Sequence, residues 1–203
     1  TGNVALGDTA LDSVASDGNY NVAIGDEALT ADTTGDNNIG IGRRALYSNT
    51  TASSNVALGV QSLNTNSTGG SNTAVGHQSL LSNTTASYNT AVGYQAGYSN
   101  TTGTRNAFFG AEAGRFNTGS YNNAFGYQSL TNNTSGQRNT AFGDVSLNTN
   151  TSASDNTAIG WGATLNNSTG GSNTAVGSQS LYYNTTASNN TAVGYQAGYS
   201  TTT

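Results

Sequence analysis

The chain has 203 residues, of which 33% are hydrophobic and only 7% charged, with a net charge of −5 and no Cys. Five Lys and Arg against ten Asp and Glu form no basic patch for phosphates, which argues against nucleic acid or an anionic membrane surface as a partner. No run approaches the length of apolar chain that spans a bilayer, so no membrane insertion by this segment is expected, and without Cys there are neither disulfides nor thiolate metal sites.

An apolar fraction this far below that of ordinary domains leans towards disorder, yet the low charge removes the self-repulsion that keeps disordered chains expanded. Polarity comes instead from Asn, Thr, Ser, Gln and Gly. No basic start precedes an apolar core, so no signal peptide is expected, as in a mature or excised segment.

Taken from the N-terminus, one motif recurs: Asn, any residue, a small residue, a large apolar residue, Gly. Its Asn falls at Asn3, Asn21, Asn38, Asn55, Asn72, Asn89, Asn106, Asn122, Asn139, Asn156, Asn173 and Asn190, so residues 1–203 read as one repetitive segment of about twelve coils. Successive copies are 17 residues apart except for one step of 18 (Asn3 to Asn21) and one of 16 (Asn106 to Asn122). The stretch NTAVGYQAGYS stands at 89–99 and again at 190–200, six periods less the one-residue deletion, which points to duplication of a block of six coils.

Seventeen residues are too few for a two-helix repeat and suit one coil of an all-β, parallel β-solenoid (β-roll). The residue before Gly is β-branched or aromatic in most coils (Val75, Val92, Phe109, Phe125, Phe142, Ile159, Val176, Val193), as strands prefer. Two residues earlier Val4, Val22, Ile39 and Val56 share its face, and the intervening Ala points the other way, where its small size lets a neighbouring layer approach. A second short strand is expected around QSLLSN, carrying Leu11, Leu29, Leu46, Leu63, Leu80, Leu130, Leu147 and Leu181. Gly makes one corner and Asn-Thr-Thr-Gly/Ala the other. The expected object is a flattened roll with two short parallel sheets, a rod on the order of 57 Å long.

In such a stack identical residues lie one above another, and an Asn amide can donate to the Asn carbonyl of the next coil. The motif column (Asn55, Asn72, Asn89, Asn106, Asn139, Asn156, Asn173, Asn190) and the corner column (Asn49, Asn66, Asn83, Asn100, Asn117, Asn133, Asn150, Asn167, Asn184) are both expected to be ladders, and the Gln column (Gln61, Gln78, Gln95, Gln128, Gln179, Gln196) a third, exposed one. A single thin roll has little to bury, so copies are expected to pack side by side and the ends to continue into further sequence or further subunits.

NVALG (3–7), NVAIG (21–25) and NVALG (55–59) resemble the repeats of the YadA-like head domain of trimeric autotransporter adhesins and related phage tail and surface fibres. The resemblance runs the length of the chain. It implies a left-handed parallel β-roll, three chains packed as a homotrimer, an extracellular, cell-surface or virion location, and binding rather than catalysis, with a surface glycan or host receptor as partner. This chain departs from it in its longer repeat and in Thr73, Thr90, Thr140, Thr157, Thr174 and Thr191, which replace the motif Val.

No catalytic, metal or cofactor residues are expected. His77, the sole histidine, occupies a column after Gly that accepts almost any side chain, carboxylates never recur at paired spacing, and GIGRR (40–44) lacks the rest of a P-loop. Exposed rings can stack on sugars, which makes Tyr94, Tyr127, Trp161 and Tyr195 in that same column candidate glycan contacts; the favoured reading is that they shield the roll or fill an interchain contact. The triplets at Asn49, Asn66, Asn83, Asn100 and Asn184 match N-glycosylation acceptors, although a ladder accounts for the same letters. The leading expectation is a non-catalytic structural or adhesive fibre module. The alternatives are a self-assembling filament subunit and an ice-binding solenoid, against which stands the fact that adjacent corner Thr residues point to opposite faces.

Overall fold

The computed structural model describes residues 2–13 and 18–201. Each motif forms a three-residue strand: β1 (Val4–Leu6), β2 (Val22–Ile24), β3 (Ile39–Ile41), β4 (Val56–Leu58), β5 (Thr73–Val75), β6 (Thr90–Val92), β7 (Ala107–Phe109), β8 (Asn123–Phe125), β9 (Thr140–Phe142), β10 (Thr157–Ile159), β11 (Thr174–Val176) and β12 (Thr191–Val193). They pair in parallel and in sequence order as one twelve-stranded sheet. Register follows the period, so Thr73 lies beside Thr90 and Ala74 beside Ala91. The shorter coil keeps it too, with Phe109 beside Phe125, because its missing residue falls in the far corner. Residues 14–17, in the longer first coil, lie outside the described residues. At the usual spacing of parallel strands, eleven interstrand steps make a rod about 53 Å long.

The second sheet is not formed. The QSLLSN segment is a run of turns in which Gln61 (φ 58°), Leu63 (φ 48°), Gln78 (φ 57°) and Leu80 (φ 47°) take the left-handed conformation, and the same two columns do so along the rod. A β-strand cannot alternate in this way, but coil-to-coil hydrogen bonding survives: the Leu63 amide donates to the Ser79 carbonyl at 3.0 Å and the Thr65 amide to the Leu81 carbonyl at 3.1 Å. A left-handed leucine costs on the order of 1–2 kcal/mol. Burying its side chain completely offsets a cost of that size.

The core is a thin seam. Ala23, Ala57, Ala74, Ala91, Ala141 and Ala175 point inward from the strands and are fully buried against the Leu column, so the close approach expected of the small residue is made inside the coil. The large apolar residues of the strands face outward, except Phe108 of β7, which points inward and is fully buried. Even so, the chain exposes 7954 Å², less than the roughly 8,900 Å² typical of a globular monomer of its mass. The single roll is therefore compact for its mass. Small residues and close stacking achieve it.

Candidate functional site

The two Asn columns are ladders, built differently. In the motif column the side-chain carbonyl accepts from the backbone amide of the next Asn: Asn72 N–H to Asn55 Oδ1 at 2.9 Å, Asn89 N–H to Asn72 Oδ1 at 2.9 Å, Asn106 N–H to Asn89 Oδ1 at 3.0 Å. The series runs on through Asn139, Asn156, Asn173 and Asn190. The side-chain amide meanwhile donates across its own coil, as Asn72 Nδ2 does to the Ala86 carbonyl at 2.9 Å. This column thus welds side chain to main chain, where an amide-to-amide chain was expected.

The corner column is the amide-to-amide ladder: Asn66 Nδ2 donates to Asn49 Oδ1 at 3.0 Å, Asn83 to Asn66 at 2.7 Å and Asn184 to Asn167 at 3.0 Å. Each of these amides also donates to a carbonyl three residues on. Asn100 makes that second bond, to the Gly103 carbonyl at 2.8 Å, while Asn83 Oδ1 has no partner, so the ladder is interrupted between them. Asn49, Asn66, Asn83, Asn100 and Asn184 are all fully buried. Their nitrogens are the atoms a glycan would occupy, and attaching one would require the corner to open.

The other polar columns follow the same logic. Gln78 Nε2 donates to Gln61 Oε1 at 2.9 Å, Gln95 to Gln78 at 2.8 Å and Gln196 to Gln179 at 2.9 Å, so these glutamines form a ladder that is in places half-buried rather than freely exposed. The first corner Thr of a pair is likewise engaged: Thr33 Oγ1 donates to the Thr50 carbonyl and Thr50 Oγ1 to the Ser67 carbonyl, at 2.8 and 3.1 Å. Those hydroxyls are not a free array facing water.

One position breaks the corner column chemically. Asp32 stands where the following coils have Asn and is fully buried, its carboxylate accepting from Asn49 Nδ2 at 2.9 Å and Asn21 Nδ2 at 3.1 Å. Burial pushes the carboxyl up to about 6 from 3.8; hydrogen bonds from Asn49 and the Gly35 amide oppose the rise and Asp36 adds to it. Because the folded state holds the proton more tightly, this contribution is fully present below the unfolded value of 3.8 and is lost as pH rises through about 6. The loss amounts to about 3 kcal/mol. Asp32→Asn reproduces the arrangement of Asn66 with Asn55, whose amides both donate to the Gly69 carbonyl at 2.9 Å. The variant is expected to gain protection at pH 7 and lose the pH dependence, read by hydrogen exchange of the amides of residues 19–49 between pH 4 and 8.

The aromatic column is on the surface: Tyr94, Tyr127, Trp161 and Tyr195 are 50%, 51%, 51% and 72% exposed. His77, in the same column, stacks on Tyr94 with ring centroids 5.7 Å apart. A second exposed column carries Tyr88 and Tyr121 with Arg105 over both rings, next to a bidentate Arg138–Asp155 pair at 2.7 and 2.9 Å. Among the described residues no pocket opens and no three His, Cys, Asp or Glu side chains gather as a metal site. The outward sheet face went unrecognised in the sequence as a surface. Its signal was there, in the large apolar residue before Gly on every strand, joined two residues earlier by a second one in β1 to β4.

No family model matches the chain, and no match was found among curated proteins or solved structures.

Proposed function

We propose that the chain is a rigid, non-catalytic module of an extracellular fibre on a cell surface or virion, with copies lying side by side as a homotrimer through the outward face of the sheet. The observation that carries this reading is the apolar ribbon on that face. Leu6, Leu58, Phe109, Phe142, Ile159 and Val193 all stay exposed, Phe142 at 56% and Val193 at 70%, one above another along the rod. Within it Phe109 stacks on Phe125 at 4.9 Å and Phe125 on Phe142 at 5.5 Å. A continuous apolar strip of this length marks an interaction surface. The partner that matches its axial repeat at every step is another copy of the chain, and closed symmetry limits the assembly to a few copies.

Stiffness follows from the ladders, and a stiff rod bearing several copies gives reach and multivalency to whatever it contacts. Sedimentation velocity is the test. A trimer is expected at micromolar concentration, and Phe142→Asp is expected to give monomers with an unchanged β-type circular dichroism spectrum. A wild-type chain that sediments as a monomer across that range rules out the side-by-side reading.

A further inference from the structure

The column after the motif Gly alternates: Tyr94, Ala111, Tyr127, Asp144, Trp161, Ser178, Tyr195. We propose that its four rings form a binding track for a neutral β-1,4-linked glycan chain in an extended, two-fold conformation.

Spacing is the first argument. The rings follow β6, β8, β10 and β12, every second strand of an in-order sheet. Two strand spacings are about 9.6 Å, and Tyr94 to Tyr195 spans about 29 Å. The two-coil step is close to the length of one disaccharide in an extended β-1,4-linked chain, where every second pyranose repeats its orientation. One sugar of each pair then meets a ring and the other lies over Ala111, Asp144 or Ser178, none of which is bulky enough to hold the chain away.

Rigidity is the second. The column backbone is tied coil to coil by bonds from the next residue along: Glu112 N–H to the Tyr94 carbonyl at 2.8 Å, Val145 to Tyr127 at 2.9 Å, Gly162 to Asp144 at 3.0 Å, Gln179 to Trp161 at 2.9 Å and Gln196 to Ser178 at 3.0 Å. The ring spacing is therefore set before any ligand arrives, which lowers the ordering cost of binding. Among the described residues no other ring stacks on Tyr127, Trp161 or Tyr195, and half or more of each is open to solvent.

Charge is the third. Between Tyr94 and Tyr195 the column has no cation and one carboxylate, on a chain of net charge −5, which disfavours uronate or sulfate and favours an uncharged polysaccharide. The Asp144 carboxylate, which accepts from the Tyr127 amide at 2.8 Å, and the Ser178 hydroxyl offer hydrogen bonds to sugar hydroxyls.

Trp161 is the only tryptophan in the chain, so its fluorescence reports on the track directly. The full chain is titrated with cello-oligosaccharides and, separately, with chito-oligosaccharides of increasing length. The expected result is an emission change whose midpoint falls with each added disaccharide and levels off once the oligomer spans the four rings. In affinity electrophoresis and calorimetry, Trp161→Ala and Tyr127→Ala are each expected to weaken binding about tenfold, Trp161→Tyr to retain it, and Tyr88→Ala, an exposed ring in another column, to leave it unchanged. Saturation with either oligosaccharide series supports the track and identifies the sugar. Absence of binding to both, length-independent binding, a loss of equal size in Tyr88→Ala, or binding only to anionic glycans overturns it. The proposal does not depend on side-by-side assembly: a chain that sediments as a monomer yet binds the oligosaccharides retains the track and loses the trimer.

Discussion

Replacing Gly93 by alanine is expected to separate two coils and to cost about 3–5 kcal/mol, seen as a lower melting temperature and loss of hydrogen-exchange protection in residues 89–127. Two causes add. Gly93 has φ +141°, where a Cβ strains the backbone, and that Cβ would lie 2.4 Å from the Gly110 carbonyl oxygen and 2.6 Å from its carbon. Backbone held by the ladders on both sides cannot move aside as a side-chain tip can. Gly194→Ala separates the two causes, since in the 203-residue chain its Cβ at φ +128° meets only Ala197 Cβ, at 3.9 Å. That variant is expected to cost about 1–3 kcal/mol, the strain alone. Equal losses in the two variants would mean that coil stacking is looser at Gly93 than these distances require.

The same glycine column was the most legible feature of the sequence. A 17-residue period with Gly in constant phase specified the stack, the parallel order and the register, because in a solenoid each residue neighbours its own equivalent. Both Asn columns were legible for the same reason, although their bonding was not: whether an amide meets its twin or the main chain depends on where the backbone lies beside it. The second side of the coil was misread because leucine is among the residues least suited to positive φ, and nothing in QSLLSN announces it. The clue was indirect. Gly97, Gly114 and Gly198 stand in the Leu column and Gly162 in the Gln column, all with φ between +58° and +61°. Period-two alternation shows which strand residues share a face but not which face is inside. Here the seam is so thin that Ala faces in, leaving the β-branched and aromatic residues outside, where the proposed trimer contact lies.

Asp32 and the aromatic track show what columns reveal beyond the fold. Where a column is buried, its consensus residue is a packing requirement, and a departure such as Asp32 is a strained site with a predictable pH response. Where a column is exposed, packing does not constrain it, as the mixture of His77, Tyr94, Ala111, Asp144 and Ser178 shows. Coil packing does not require a regular alternation of rings within so permissive a column, and the proposed glycan track rests on that.

Phe108→Ala is expected to be the most damaging change in the core, at about 3–5 kcal/mol. Every other described strand from β2 to β12 carries Ala or Gly at this inward position; in β7 it is a fully buried phenylalanine. The ring is accommodated because the coils of β6 and β7 each lack the usual leucine. A Cβ on Gly97 would lie 2.8 Å from Phe108 Cδ2, and one on Gly114 2.4 Å from Phe108 Cε1. One large residue therefore fills the space that two leucines fill elsewhere, and removing it leaves a cavity flanked by glycines that cannot close it. Gly114→Leu with Phe108 retained overfills the same space and is expected to cost about 1–3 kcal/mol. The triple variant Phe108→Ala, Gly97→Leu, Gly114→Leu restores the pattern of coils such as that of Ala57 and Leu63. Left-handed φ at both glycines, +61° and +58°, is what Leu63 already adopts at +48°. Thermal unfolding of the single and triple variants should thus show strong coupling, with the triple recovering most of the stability that the first substitution removes. A triple variant no more stable than Phe108→Ala would mean that this coil is shaped by something other than the exchange of one aromatic for two leucines.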